Sequence, residues 1–165
     1  MEKDLQHMHH AVRLARETQQ MGNLPVGSVI TLDDEIIAEG QNTIWAPKLN
    51  PSRHAEMEAM AVVPVELWPR APEMTLYTTL EPCLMCMSAI LMHRIGRIVF
   101  GSNDPRGGAA YAFGHLPPVF ERLRKKVEWV GPFLPEVCDE LDQMVATMMA
   151  DYKNRIWGVE EKTNS

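Results

Sequence analysis

The spacing of apolar residues predicts an amphipathic helix followed by a β-hairpin at the start of the chain. Apolar residues recur at helical intervals from Leu5 to Ala15, which predicts a helix over residues 2–21. Two short runs that favour strands follow at 26–32 and 35–41, and the two aspartates between them are typical of a turn. These two runs are therefore predicted to pair as a hairpin.

The rest of the chain alternates between helical and strand patterns. In chain order we predict a helix at 53–63, a strand at 74–80, a helix at 83–93, a strand at 97–100, a helix at 117–126, a strand at 127–130 and a helix at 135–152, with an irregular, proline-containing segment at 64–73. Helical crossovers make consecutive strands parallel and place helices on both faces of a sheet. The expected fold is α/β, a three-layer α/β/α sandwich with a mixed five-stranded sheet whose last two strands are parallel.

The composition indicates one globular domain. The chain has 165 residues, of which 45% are hydrophobic and 23% charged, close to ordinary globular values. We expect a single domain over 1–153 and a C-terminal tail over 154–165. No apolar run approaches the roughly 20 residues of a membrane span, and the N-terminus does not resemble a signal peptide. With only three cysteines, this pattern favours a cytoplasmic protein without a membrane partner.

The charge balance argues against broad attraction to nucleic acid. Lys and Arg total 16, Asp and Glu total 22, and the formal net charge is −6. Nucleic-acid binding usually needs clustered cations. One basic run, at 122–126, is an exception to the acidic balance. It is either a solvated helix face or a patch that binds RNA phosphates.

Two short motifs carry the chemistry. Cys83 and Cys86 are three residues apart, so both sulfurs lie on one face of the predicted helix, and its positive N-terminal end favours thiolates. With the imidazole of His54, they make three ligands of the kinds that zinc prefers. Three protein ligands leave a fourth position for water, which is typical of a catalytic site. Cys138 is expected to be a buried thiol rather than a fourth ligand.

Glu56 follows the predicted ligand His54 by two residues. On a regular helix, such residues point to opposite sides, so both can face one site only in a first turn. The segment 50–52, Asn-Pro-Ser, is typical of a helix start and would place them there. A carboxylate near zinc can take a proton from water and return it to a leaving group.

His-x-Glu followed by Pro-Cys-x-x-Cys resembles the signature of the zinc-dependent cytidine deaminase-like superfamily. The segments 24–30, 37–42 and 75–83 are similar to its branch of tRNA adenosine deaminases, guanine deaminases and fungal-type cytosine deaminases. Residues 94–101 resemble the tRNA adenosine deaminases most closely. The resemblance covers about residues 8–150.

The resemblance implies one zinc ion per chain, held by His54, Cys83 and Cys86, with Glu56 as the proton shuttle. It implies hydrolytic deamination, in which a zinc-bound hydroxide attacks the amine-bearing ring carbon and ammonia leaves. Asn42 and the backbone at Ala55 would contact the substrate. Homodimers are usual in this family.

Three aromatic residues are candidates for the walls of the substrate pocket. Trp45 could stack on a base, although packing within its own loop is the alternative. Phe113 lies in a stretch that departs from the tRNA enzymes, and Trp157 lies in the tail, which could fold over the active site.

The substrate is expected to be a free nucleobase or nucleoside, such as guanine, cytosine or a related base. The acidic balance and the absence of a basic character in segment 151–161 favour this small-molecule substrate over RNA. The alternative is editing of adenosine to inosine in a tRNA anticodon. A second alternative is a catalytically silent zinc-binding partner subunit, against which Glu56 argues.

Overall fold

A computed structural model describes residues 2–156 of the chain and the side chains of residues 2–152. In chain order its elements are α1 (Glu2–Gln20), β1 (Gly27–Leu32), β2 (Glu35–Gln41), α2 (Ala55–Ala61), a 3₁₀ segment (Val65–Glu73), β3 (Thr75–Leu80), α3 (Leu84–His93), β4 (Arg97–Ser102), a second 3₁₀ segment (Ala109–Ala112), α4 (Pro118–Arg124), β5 (Glu128–Val130) and α5 (Pro135–Ile156).

The five strands form one mixed sheet in the order β2-β1-β3-β4-β5. β1 is antiparallel to both β2 and β3, whereas β3, β4 and β5 run parallel. The two parallel pairs are those joined by helical crossovers, as the alternation of elements predicts. The predicted hairpin, the mixed sheet and the parallel last pair are therefore confirmed.

Neighbouring residues of the central strands enter two different cores, because successive side chains of a strand point to opposite faces. Val29, Tyr77 and Val99 pack with side chains of α1 and α5. Ile30 and Leu76, one residue away from the first two, pack with side chains of α2 and α3. Helices thus cover both faces, which confirms the three-layer α/β/α sandwich.

Two helices begin later than predicted. α2 begins at Ala55 rather than at residue 53, and α3 begins at Leu84 rather than at residue 83. The segment before α2 forms its own turn, in which Asn50 Oδ1 accepts hydrogen bonds from the backbone and hydroxyl of Ser52. His54 and Cys83 therefore become the N-cap residues of the two helices, with extended backbones.

Other differences lie outside the site. The proline-containing segment predicted as irregular forms 3₁₀ turns over Val65–Glu73, because short i→i+3 turns tolerate the missing N–H groups of Pro69 and Pro72. α5 runs to Ile156, beyond the predicted helix end at residue 152. Among residues 2–156, no helix has the length and apolar character needed to cross a membrane.

Candidate metal centre and active site

The N-termini of α2 and α3 meet beside the end of β3. Gly40 of β2 makes this placement of α2 possible, because a Cβ there would lie 2.1 Å from the carbonyl oxygen of Ala55 and 2.4 Å from the backbone nitrogen of Ala59. The backbone of α2 thus lies directly on that of β2. This contact positions His54 and Glu56 beside the end of β3.

The three predicted metal ligands lie together. His54 Nδ1 is 3.7 Å from Cys83 Sγ and 3.5 Å from Cys86 Sγ, and the three atoms all lie within 4.8 Å of one another. Ordinary zinc–nitrogen and zinc–sulfur bond lengths in a tetrahedron give an N–S separation of about 3.6 Å. The donor set and its spacing therefore fit a zinc ion.

The two thiols perturb each other strongly. Because the Cys86 thiol donates a hydrogen bond to Cys83, the pKa of Cys83 is lowered to about 4, while the pKa of Cys86 is raised. Burial opposes the charged form of His54, but its hydrogen bond with Cys83 and the charge of Glu56 outweigh burial and raise the pKa of the imidazole. The centre thus favours a thiolate at Cys83 even before it holds a cation.

Glu56 lies beside these ligands and is 3% exposed. Its Oε1 accepts a hydrogen bond from the Thr78 hydroxyl at 3.4 Å, and its Oε2 lies 3.5 Å from Cys86 Sγ. Burial raises the pKa of this carboxyl group, with the charge of His54 acting in the opposite direction. A carboxyl group so placed can both accept and return a proton.

A cavity of about 450 Å³ opens over the centre. Its lining is mostly apolar, with a few polar groups around the ligands, as is usual for small-molecule sites. Its lining residues include Asn42, His54, Glu56, Val145, Met149 and Tyr152.

Asn42 lines this cavity and is 2% exposed. Its Oδ1 accepts a hydrogen bond from the backbone of Ile44 at 3.3 Å, which closes a turn after β2. No described residue accepts a hydrogen bond from its Nδ2. Turn closure and substrate contact are thus compatible, because they use different atoms of the same amide.

Two other predicted substrate contacts, Ala55 and Trp45, do not line the cavity. Ala55 is buried as the first residue of α2, where a backbone N–H has no intrahelical acceptor, and it is not among the residues that line the cavity. Trp45 does not line the cavity directly. Its ring stacks on Tyr152, with centroids 4.9 Å apart and an interplanar angle of 29°, and so supports the wall from behind.

Phe113 does not line the cavity, which corrects its expected position. Its ring packs at 81° against Trp129, with centroids 5.3 Å apart, and the Arg124 guanidinium lies 4.1 Å from its centroid. The reason is that the loop after the second 3₁₀ segment folds onto the α3 and α4 side of the sheet. Trp157 and the tail from residue 157 lie outside the described residues.

Sequence reasoning missed the wall that α5 contributes. Val145, Met149 and Tyr152 line the cavity at intervals of four and three residues, so they share one face of the helix. That spacing was visible in the sequence. What it could not reveal is that this face of the last helix packs over the metal ligands of α2 and α3.

A loop after β4 forms another part of the rim. Glu81 is 5% exposed, and its carboxylate accepts hydrogen bonds from the backbone of Asp104 at 3.2 Å and Ala110 at 3.0 Å. Arg106 in this loop pairs with Asp142 of α5. These bonds fasten the loop to β3 and to α5, and so hold the cavity's rim together.

Comparison with known proteins gives a consistent result. Residues 1–102 match the family described as the cytidine and deoxycytidylate deaminase zinc-binding region. The chain is 34% identical to the tRNA-specific adenosine deaminase of Bacillus subtilis (strain 168), over 84% of this chain and 85% of that protein. It is 36% identical to the tRNA-specific adenosine deaminase of Haemophilus influenzae, over 84% of this chain and 80% of that protein.

A solved structure agrees with these relatives. A chain from structural work on A-to-I editing by tRNA:A34 deaminases at the wobble position of transfer RNA superposes with a TM-score of 0.68 and 29% identity. The match covers 83% of this chain and 99% of that chain.

These relatives contradict the expectation of a free nucleobase or nucleoside as substrate. That expectation rested on the net charge and on a C-terminal segment that is not basic, and it also ranked RNA as the less favoured partner. Net charge averages over the whole surface, so it does not describe the local surface that meets a substrate. On the matched region and the metal centre, the chain belongs to the cytidine and deoxycytidylate deaminase family, whose zinc-dependent members hydrolyse a C–N bond and release ammonia.

Proposed function

We propose that the protein is a zinc-dependent tRNA adenosine deaminase that converts adenosine to inosine in an anticodon loop. The observation that carries the proposal is its likeness, over more than four-fifths of its length, to two bacterial tRNA-specific adenosine deaminases. The metal centre at the floor of a cavity supports the same reaction.

Zinc bound by His54, Cys83 and Cys86 would supply a water molecule whose pKa lies near 7. In the proposed reaction Glu56 takes a proton from this water and delivers protons to the base and to the departing ammonia. The C–N bond to the exocyclic amine breaks, and the water oxygen becomes the new carbonyl oxygen.

The groups around the cavity suit the binding of a planar base that carries hydrogen-bond acceptors. Asn42 Nδ2 is the donor that we assign to the base or its sugar, and the backbone N–H of Ala55 at the start of α2 is a second donor. Tyr152, supported by Trp45, offers an aromatic surface for a base. Enzymes of this chemistry act on bases outside a duplex, which an anticodon loop provides.

A homodimer and a cytoplasmic location belong to the same proposal. Leu84 and Met85 at the start of α3 are 52% and 37% exposed, and Val62 at the end of α2 is 60% exposed. Leu84 and Met85 lie at the end of α3 that meets the metal centre, whereas Val62 lies at the opposite end of α2. Such exposed apolar side chains suit contact with a second copy of the chain. A cytoplasmic location is where a tRNA substrate would be found.

The test is a substrate comparison with the zinc-loaded chain. A tRNA with adenosine in its anticodon loop, the isolated stem-loop, free adenosine, cytosine and guanine are each assayed for inosine or ammonia. We expect inosine in the tRNA and the stem-loop, and no ammonia from the free compounds. Ammonia from a free base alone would overturn the proposal. A lack of all products from the zinc-bound protein would favour a silent subunit instead.

A further inference from the structure

A basic groove lies at the far end of α3 from the metal centre. It encloses about 480 Å³ and is lined by Arg94, Arg122, Lys125 and Lys126, with Met92, Val119 and Leu123 as its apolar part. None of these residues lines the cavity over the metal centre. α3 has ten residues and is therefore about 15 Å long, which separates the groove from Cys83 and Cys86 by roughly this distance.

The fold brings these four cations together from two elements. Arg122, Lys125 and Lys126 have the spacing of one helical face, and Lys125 keeps a helical backbone after the end of α4. Arg94 follows α3 with φ 67°, in the left-handed region where glycine is the usual residue. A bulky cation thus occupies a position that disfavours any side chain, next to the cations of α4.

The four cations have no acidic partner among residues 2–152. Elsewhere in this part of the chain, Arg13, Arg53, Arg70, Arg97 and Arg106 each form an ion pair with a carboxylate. The groove is therefore a local concentration of uncompensated positive charge in a chain of net charge −6.

Arg124 shows that the basic run at 122–126 is not one uniform surface. Its guanidinium lies over the Phe113 ring, and its Nη1 donates a hydrogen bond to the carbonyl oxygen of Val127 at 2.9 Å. Burial lowers the pKa of this guanidinium. Arg124 therefore packs against Phe113, whereas Arg122, Lys125 and Lys126 line the exposed groove.

We propose that this groove binds backbone phosphates of a tRNA, outside the loop that enters the cavity; the inference rests on the proposed function. Phosphate contacts position a nucleic acid without reading its sequence, which suits exposed Lys and Arg side chains around a shallow groove. Because the groove lies about 15 Å from the metal ligands, it contributes to the affinity for a long RNA. A short oligonucleotide that fills only the cavity does not reach it.

The test is the triple variant Arg122→Gln, Lys125→Gln, Lys126→Gln in the full, zinc-loaded chain. Its binding to a tRNA transcript and to a short single-stranded loop oligonucleotide is measured across a salt series. Each lost phosphate contact flattens the slope of log K against log salt by about 0.7, so we expect a change of roughly 2. Affinity for the tRNA should fall at least about tenfold at 0.1 M salt, while affinity for the oligonucleotide stays within about twofold.

A matched control separates the groove from net charge. The triple variant Lys3→Gln, Arg13→Gln, Arg16→Gln removes the same charge from α1, which packs on the other face of the sheet, and should leave the tRNA slope unchanged. Thermal unfolding of both triple variants confirms that each is folded.

The outcomes separate the two proposals. If the wild type edits tRNA but both triple variants keep its salt slope, the groove proposal is overturned and the proposed function stands. If the groove variant weakens tRNA and oligonucleotide binding equally, the groove proposal is also overturned. If no RNA is edited and only the groove variant flattens the slope, the proposed function fails and the groove stands as an RNA-binding surface.

Discussion

The Oε2 atom of Glu56 lies 3.5 Å from the Sγ atom of Cys86, although the two residues belong to different helices. His54, two residues before Glu56, is the N-cap of α2 with φ −73° and ψ 155°. An extended N-cap releases His54 from helical geometry, so its side chain and that of Glu56 reach the same centre. The carboxyl group is thereby placed beside the metal ligands without being one of them.

Replacement of Glu56 by Gln should separate catalysis from metal binding. Gln keeps the shape of the side chain and an oxygen for the Thr78 hydroxyl, but it cannot shuttle a proton. We expect one zinc per chain, as measured by atomic emission, and a fall in the editing rate of about 10²–10⁴-fold. A variant rate within tenfold of wild type would contradict the assigned role.

Cys86 and Cys138 should behave differently when replaced by Ala. Cys86→Ala removes a ligand and should abolish stoichiometric zinc, together with activity. Cys138→Ala is the matched control, because that thiol is fully buried in the core between α1, α5 and the sheet. It should keep its zinc and lose about 1 kcal/mol of unfolding free energy. Loss of zinc from the Cys138 variant would show that the ligand set is incomplete.

Tyr152 should contribute to substrate affinity through its ring. Stacking of a base on an aromatic side chain is worth about 1–3 kcal/mol, so Tyr152→Ala should raise the KM for tRNA by roughly 5- to 150-fold. Tyr152→Phe keeps the ring and should remain close to wild type. Tyr111→Ala is a control, because that side chain is 75% exposed and does not line the cavity. Equal KM values for the Ala and Phe variants at position 152 would exclude stacking.

Gly40→Ala should destabilise the fold and the metal centre together. The new methyl group would meet the backbone of α2 at 2.1 Å, so the helix would have to shift. We expect a loss of about 2–4 kcal/mol in urea unfolding and weaker zinc binding. At Gly107, an added Cβ meets nothing closer than 3.4 Å, so Gly107→Ala should change the unfolding free energy little. Equal stability of the two variants would contradict the close approach.

Asp4 should make stability depend on pH in acid. Hydrogen bonds from Arg97 lower its pKa to about 2 against burial, and a hydrogen bond from Tyr77 adds to the effect. A lowered native pKa means that the stabilisation is complete above the unfolded value of 3.8 and is lost as the pH falls toward 2. Over this window wild type should lose about 1–2 kcal/mol more than Asp4→Asn in urea unfolding. Parallel pH profiles would contradict the coupling.

Local patterns in the chain are enough to predict the order of the elements and the candidate metal ligands. Helical and strand periodicities are properties of single segments, so they predicted the hairpin, the crossovers and the parallel last pair. The motifs around His54 and Cys83 are equally local, because each occupies a single helix start. The resemblance that these motifs carry indicates the deaminase family without any knowledge of tertiary contacts.

Which distant residues meet depends on how the helices and the sheet pack against one another. Tyr152 lines the cavity, whereas Phe113 does not. Arg124 packs with Phe113 and Trp129, while Lys125 and Lys126 are exposed. Periodicity shows that residues share a helix face, but it does not show what that face contacts, because that depends on how separate elements pack. For the same reason the net charge led to a wrong prediction of a free nucleobase or nucleoside as substrate. A sum of charges over the chain does not show where unpaired cations lie close together.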